Sequence, residues 1–287
     1  MKLNNLPSNF SLLGRAFLTI SRKNNMNAES MSFEKTFLAK PIDQAKLVKY
    51  NQLFRRNNSI IPLTFLYFMS QRAQVALMLD KRVGFSIPGL IHTDNELSLV
   101  NLPDLHLPWK IDSHLRINRV GEHDRIQIVL NSRLNQDNKM VASCKSIYQV
   151  LNKNKDKKKN KNKAVNNSIT NFSKEQCELW AIDSGMGLRY ARISGDYNPI
   201  HLYKSTAKIF GFRLPIIHGM YSHSRIVDTL EHHFEKSIKN ISISFRKPIF
   251  LPSNVRFEFE VSSEEQGQFR IVSNEREQLY LQGNYCF

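Results

Sequence analysis

Residues Tyr190–Met220 read YARISGDYNPIHLYKSTAKIFGFRLPIIHGM. Ser194-Gly195-Asp196-Tyr197-Asn198-Pro199 is a turn by composition. His201 follows Asp196 by five residues, and a short helix is predicted from about Leu202 to Phe210. A carboxylate and an imidazole on one irregular loop converge on one small volume. Together they offer an acceptor and a group titrating near neutrality, which general acid–base chemistry requires. Pro199 stiffens the loop between them. The same residues also suit a structural role, with Asp196 capping the helix and His201 packing beneath it, and residue type alone does not choose. His218-Gly219-Met220 adds a third element, because Gly219 falls where a long amphipathic helix begins. The first N–H groups of a helix lack an intrahelical acceptor, and that end is positive. A glycine there lets a ligand carbonyl approach the backbone, the geometry of an oxyanion hole. It also suits a plain tight turn into the helix. His218 is read as orienting the loop or packing rather than as a reacting group.

Working outward, Ile226, Val227, Leu230 and Phe234 have helical spacing. Beyond them Ile241, Ile243 and Phe245 alternate with polar residues, as do Val255, Phe257, Phe259 and Val261, and Leu279 and Leu281 begin a third run. Period-two alternation means strands with one face on a core. Pro248 and Pro252 bracket the connection between the first two, where no ladder donor is needed. In the first half Ile126, Ile128 and Leu130 alternate, as do Val141 and, more loosely, Ile147. Each half therefore reads as helical segments followed by an antiparallel meander, an α+β architecture.

Between the halves lies NKNKDKKKNKNKAVNN, residues 152–167. Its self-repelling charge and lack of apolar periodicity mark a linker. The predicted division is a first unit over 1–151 with a basic N-terminal arm, a linker over 152–167 and a second unit over 168–287. Gly84-Phe85-Ser86-Ile87-Pro88 is echoed by Gly211-Phe212-Arg213-Leu214-Pro215, 127 residues on. Leu115-x-Ile117-x-Arg119 is echoed by Ile243-x-Phe245-x-Lys247, 128 residues on. Two echoes at nearly one offset predict a fold used twice.

The chain has 287 residues, 41% apolar and 23% charged, near globular averages. Its three cysteines, Cys144, Cys177 and Cys286, form no CxxC pair, which excludes a disulfide scaffold and a cysteine zinc site. The net charge of +16 points to an anionic partner. Seven lysines and one acid between Lys153 and Lys163 supply +6 of it without a single aromatic, so nucleic-acid binding is not expected. The most apolar window, Ile60–Leu79, is broken by Ser70, Gln71, Arg72 and Gln74 and is read as a buried helix rather than a membrane span. The first 28 residues carry no acid, a faint likeness to a mitochondrial transit segment. A basic arm on a cytoplasmic protein is the preferred reading. The nine histidines show no persuasive spacing with carboxylates for a metal, and none is expected.

Taken together, Tyr190-Ala191, Ser194-Gly195-Asp196, Asn198-Pro199-Ile200-His201, Ala207, Gly211-Phe212 and Ile217-His218-Gly219-Met220 resemble the signature of the MaoC-like, or hydratase 2, family. Phe245-Arg246-Lys247-Pro248-Ile249-Phe250 looks like that family's strand-and-proline segment. Ile61-Pro62-Leu63-Thr64 and Leu90-Ile91-His92 look more weakly like the extra N-terminal domain of two-domain members. Tyr221 stands where the family often has tryptophan, at the pocket edge. The resemblance implies a double hot dog: two units, each a long helix wrapped by a curved antiparallel sheet. It implies (R)-specific hydration of trans-2-enoyl thioesters, or the reverse dehydration, with no cofactor. Asp196 and His201 match the catalytic pair and Gly219 the oxyanion donor. Asn198 matches a supporting polar residue, and Ser194 and His218 flank the pair. Acyl-CoA or an acyl carrier protein thioester is the implied substrate, and the basic balance suits either. The N-terminal half lacks the Asp-x-Asn-Pro-x-His core and is expected to complete the sheet and cover the acyl chain. A double hot dog is complete as a monomer and can also pair as a homodimer. Two other readings stand beside this one: a hot-dog acyl thioesterase, and a non-catalytic acyl-thioester binding protein.

Overall fold

The computed structural model describes residues 4–22, 30–56, 61–120, 125–150, 176–275 and 278–287. The predicted linker over 152–167, with its lysine run, lies outside them. Eleven strands form one sheet: β1 (Asn4–Asn5), β2 (Met31–Ala39), β3 (Leu90–Leu99), β4 (Trp109–Val120), β5 (Arg125–Gln136), β6 (Lys139–Val150), β7 (Cys177–Ile182), β8 (Asn240–Phe245), β9 (Ser253–Ser263), β10 (Gln266–Ser273) and β11 (Leu279–Cys286). Their order is β1-β2-β4-β5-β6-β3-β8-β11-β10-β9-β7. All neighbours are antiparallel except the short β1–β2 pair.

That order contains the same unit twice. In the first, β2 lies at one edge, the β4-β5-β6 meander follows, and β3 closes it. In the second, β7, β9-β10-β11 and β8 take the same places. The units join where β3 meets β8, with Asn95 opposite Ile243. Each unit sends its chain through a 16-residue helix between its first two strands: α3 (Leu63–Met78) and α6 (Gly219–Phe234). Alternation drives this. Trp109, Ile111, Leu115 and Ile117 of β4, and Ile126, Ile128 and Leu130 of β5, are buried against the helices. Helix α6 is amphipathic and buries Ile226, Val227 and Leu230. Helix α3 is apolar on nearly every side, and Leu63–Phe68 are all buried. A helix buried all round needs no polar face, which accounts for its continuous apolar run. This is a double hot dog.

Two expectations are corrected. The strand after each helix does not pair with the next strand in sequence. β8 pairs with β11 and β3, while the chain crosses the unit before starting β9. The sequence echoes are also not structural equivalents. Gly84–Pro88 follows α3, whereas Gly211–Pro215 precedes α6; Leu115 and Ile117 lie in β4, whereas Ile243 and Phe245 lie in β8. Short alternating patterns recur in every half-buried strand, so they match across non-equivalent ones. The duplication rests on strand order instead.

Four further helices frame the site: α1 (Asn9–Leu18), α2 (Gln44–Phe54), α4 (Met186–Ser194) and α5 (Lys204–Ile209). The basic N-terminal arm is docked. Arg72 donates to the carbonyls of Pro7 (2.9 Å) and Leu6 (3.1 Å). Arg22 donates to the carbonyls of Met78 and Leu79 (both 3.0 Å), capping the end of α3. No helix among the described residues is long and apolar enough to cross a membrane.

Candidate active site

Helix α4 ends at Gly195, which is left-handed at φ 80°. Glycine is required there twice over, by the backbone and because a Cβ would run into the Asn9 side chain of α1. The turn that follows is held by its own side chains. Ser194 Oγ accepts from the Asp196 N–H (3.1 Å), and Asp196 Oδ1 accepts from the Asn198 N–H (3.2 Å). Asn198 Oδ1 accepts from the Ile200 N–H and caps a 3-10 turn, Pro199–His201. Asp196 therefore does not cap the short helix α5; that cap position is Tyr203, with no side-chain bond.

His201 sits under this turn, buried. Its Nδ1 lies 2.8 Å from the Ile216 carbonyl. A carbonyl only accepts, so Nδ1 carries the proton and a neutral His201 presents a bare Nε2. Ile216 is held in turn by the Ile200 carbonyl (3.1 Å) and by an antiparallel bridge to Phe250. The proline-bracketed segment after β8 thus clamps the histidine's anchor. His218, the residue before α6, places Nε2 2.9 Å from the Asp196 carbonyl. By the same logic Nε2 is its donor, and the buried Nδ1 has no hydrogen-bond partner among the described residues. The two imidazoles stack at 3.8 Å between centroids.

Asp196, His201 and His218 bring one ligand-type atom each within 4.8 Å of one another. Residue spacing did not reveal this cluster, because the loop folds back on itself. Metal ligation needs ring lone pairs converging on one point, in the planes of the rings. Two rings inclined by only 27° and face to face point their lone pairs side by side. The cluster is thus better built to hold a water or a substrate atom than a cation.

Electrostatics separate the groups. Burial alone would push the Asp196 carboxyl up. The imidazoles of His218 and His201, the Asn198 N–H and the Gln71 amide outweigh it and hold the group below its ordinary value. Burial pushes His201 down, against the pull of the Asp196 carboxylate, and pushes His218 down to about 3. Near neutrality the site is a carboxylate beside neutral imidazoles.

The sequence reading missed Gln71. It lies on α3, in the first unit, and its Nε2 donates to Asp196 Oδ2 at 3.0 Å. The signal was present as a polar interruption in an apolar helix. Tyr221 is buried rather than at the pocket edge, packing against Phe54 and Tyr190.

Gly219 opens α6. Its N–H has no acceptor among the described residues, as expected for a first-turn amide. A Cβ there would lie 2.8 Å from Phe245 Cε1 and 2.9 Å from Cζ, so side-chain space at this point is already filled. Asp196 lies at the base of a mouth whose walls include Leu12, Leu13 and Phe17 of α1 and Val75 of α3.

Comparison with known proteins agrees with this description. A MaoC like domain is matched over residues 174–281. The 3-hydroxyacyl-thioester dehydratase X of Mycobacterium tuberculosis is 24% identical over 217 residues, 74% of this chain and 75% of that protein. A crystal structure of HtdX from Mycobacterium tuberculosis superposes with a TM-score of 0.69 at 21% identity, over 88% of this chain and 98% of that one. A MaoC-like dehydratase from Phytophthora capsici superposes with a TM-score of 0.66 at 15% identity, over 92% and 97%. At these identities the solved structures establish the fold. The Asp196–His201 loop and the Gly219 helix start both fall inside the matched span, and residues 174–281 of this chain are a MaoC-like domain.

Proposed function

We propose that this chain is a hydro-lyase that adds water to trans-2-enoyl thioesters, giving (R)-3-hydroxyacyl thioesters, and catalyses the reverse dehydration. The observation that carries the reading is the convergence of Asp196 and His201 within 4.8 Å at the base of an apolar mouth. That separation suits one water bridging a carboxylate oxygen and a bare imidazole nitrogen. The likeness to a 3-hydroxyacyl-thioester dehydratase supports the same chemistry.

In this mechanism the thioester carbonyl accepts from the Gly219 N–H at the positive end of α6. Enolate-like charge is stabilised there as water adds at the β-carbon. Asp196 orients the water and His201 Nε2 removes its proton, because Nδ1 is committed to Ile216. The proton then goes to the α-carbon on the same face. Asn198, Ser194 and His218 position the loop through the bonds given above. The predicted division at 152–167 makes the second unit the reacting one. The first unit supplies Gln71 and the walls of the mouth.

The test is loss of enoyl absorbance on a crotonyl-to-dodecenoyl CoA series, with chiral analysis of the product. (R)-3-hydroxyacyl product, absent with folded Asp196→Asn, supports the reading. Stoichiometric release of free thiol would make the chain a thioesterase instead. Tight binding of acyl thioesters without turnover, by either CoA or carrier-protein esters, would leave only a binding protein.

A further inference from the structure

Outside the mouth lies a second depression of about 370 Å³, bounded by α1, α2 and the end of α4. Three cations line it: Lys46 and Lys49 of α2 and Arg192 of α4. Among the described residues none of them has an ion pair. The one carboxylate present, Asp43, is engaged as the cap of α2, accepting from the Lys46 N–H at 3.1 Å. Two exposed aromatic rings share the wall, Phe10 at 89% exposure and Tyr197 at 36%. An isolated phenylalanine so exposed is unusual beside three unpaired cations. The depression shares Asn9, Leu13, Gly195 and Tyr197 with the mouth above Asp196. A long ligand with its reacting end at Asp196 would therefore run out through the mouth into this groove.

We propose that this groove binds the phosphorylated nucleotide end of a CoA thioester, with Lys46, Lys49 and Arg192 on the phosphates and Phe10 and Tyr197 on the base. The proposal rests on the hydro-lyase reading for what occupies the mouth. Cations with adjacent aromatic faces suit a ligand that joins phosphate to a flat ring. The enclosed volume suits a small ligand better than the broad face of a carrier protein. Lys46 adds a supporting detail. Burial and then the nearby Arg72 bring its ammonium down to about 8, with Asp43 opposing. A half-buried cation beside a like charge gains most from an arriving anion.

The experiment is calorimetric titration of the full chain with CoA and with pantetheine, neither carrying an acyl group. CoA is expected to bind at least tenfold more tightly, with adenosine 3′,5′-bisphosphate competing. The exposed pair Lys49→Glu, Arg192→Glu, checked for an unchanged melting profile, is expected to weaken CoA at least tenfold. Equal affinity for CoA and pantetheine, or a CoA affinity indifferent to the charge reversal, overturns the proposal. So does a strong preference for a crotonyl carrier protein over crotonyl-CoA, lost on the same charge reversal. These readouts need no turnover. A chain that binds CoA through these residues but hydrates nothing keeps the groove and loses the reaction. A chain that hydrates crotonyl-pantetheine and crotonyl-CoA with equal kcat/KM keeps the reaction and loses the groove.

Discussion

Gln71 Nε2 donates to Asp196 Oδ2 across 3.0 Å, so a helix of the first unit holds the carboxylate of the second. A hydrogen bond to a charged group contributes about 1.5–3 kcal/mol. Gln71→Leu should therefore lower kcat about 10- to 100-fold if the Asp196 geometry matters in the transition state. The Gln71 amide also favours the ionised carboxyl. Its removal should raise the Asp196 pKa and move the acid limb of the kcat/KM profile to higher pH. An unchanged rate and profile in folded Gln71→Leu would show that the bond has no part in the chemistry.

Gly219→Ala tests the approach to the helix start. The new methyl would meet the Phe245 ring, which already packs beside His92 with centroids 5.2 Å apart. The ring or the helix start must shift, and a misplaced oxyanion donor costs rate steeply. Activity should fall at least about tenfold. The double variant Gly219→Ala, Phe245→Leu should recover part of it. A fully active single variant would remove Gly219 from the site.

How much of this was legible in the sequence differs between the two units. In the second, Asp196, His201 and Gly219 stand on one contiguous stretch, and residue types with turn composition were enough to place them together. In the first, the link to the site is one side chain on α3. Periodicity marks α3 as a buried helix but does not say which polar residue turns toward a partner 125 positions away. The duplicated architecture was foreseen from echoes that proved non-equivalent. Alternation reports that a strand is half buried, not which strand it is. Strand order, with its crossover from β8 to β9, depends on long-range pairing that no local pattern encodes.

Arg56 joins the units electrostatically. Its side chain is 3% exposed, and its guanidinium donates to Glu231 Oε2 (2.6 Å) and Asp228 Oδ1 (3.5 Å) of α6. Glu231 Oε1 also accepts from the Ile238 N–H at 2.9 Å. Arg56→Ala would strand two carboxylates in a poorly solvated place, at a cost of about 3–5 kcal/mol. Urea unfolding should show a midpoint shift of that order. A loss under about 1 kcal/mol would place the pair among weak surface bridges.

Stability should also fall on acidification, for a reason visible in three buried histidines. Burial takes His92 down to about 4 and takes His218 and His223 down to about 3. Once unfolded, each protonates near its ordinary 6.5. Between that value and 3–4 the unfolded chain binds more protons, so unfolding free energy rises with pH through this window. The stabilisation is complete above about 6.5 and is lost as pH falls, on the order of 1–2 kcal/mol per histidine by pH 5. Asp228 works the other way. Burial, against the pull of Arg56, raises its carboxyl to about 6, so it takes up a proton in the folded chain first. One such group against three leaves the net direction unchanged. Urea midpoints at pH 7.5, 6 and 5 should fall in that order, and His223→Leu should flatten the slope by roughly one histidine's share. A midpoint constant from pH 7.5 to 5 would mean that these imidazoles meet protons in the folded state, and that the space around His223 is wetter than its complete burial implies.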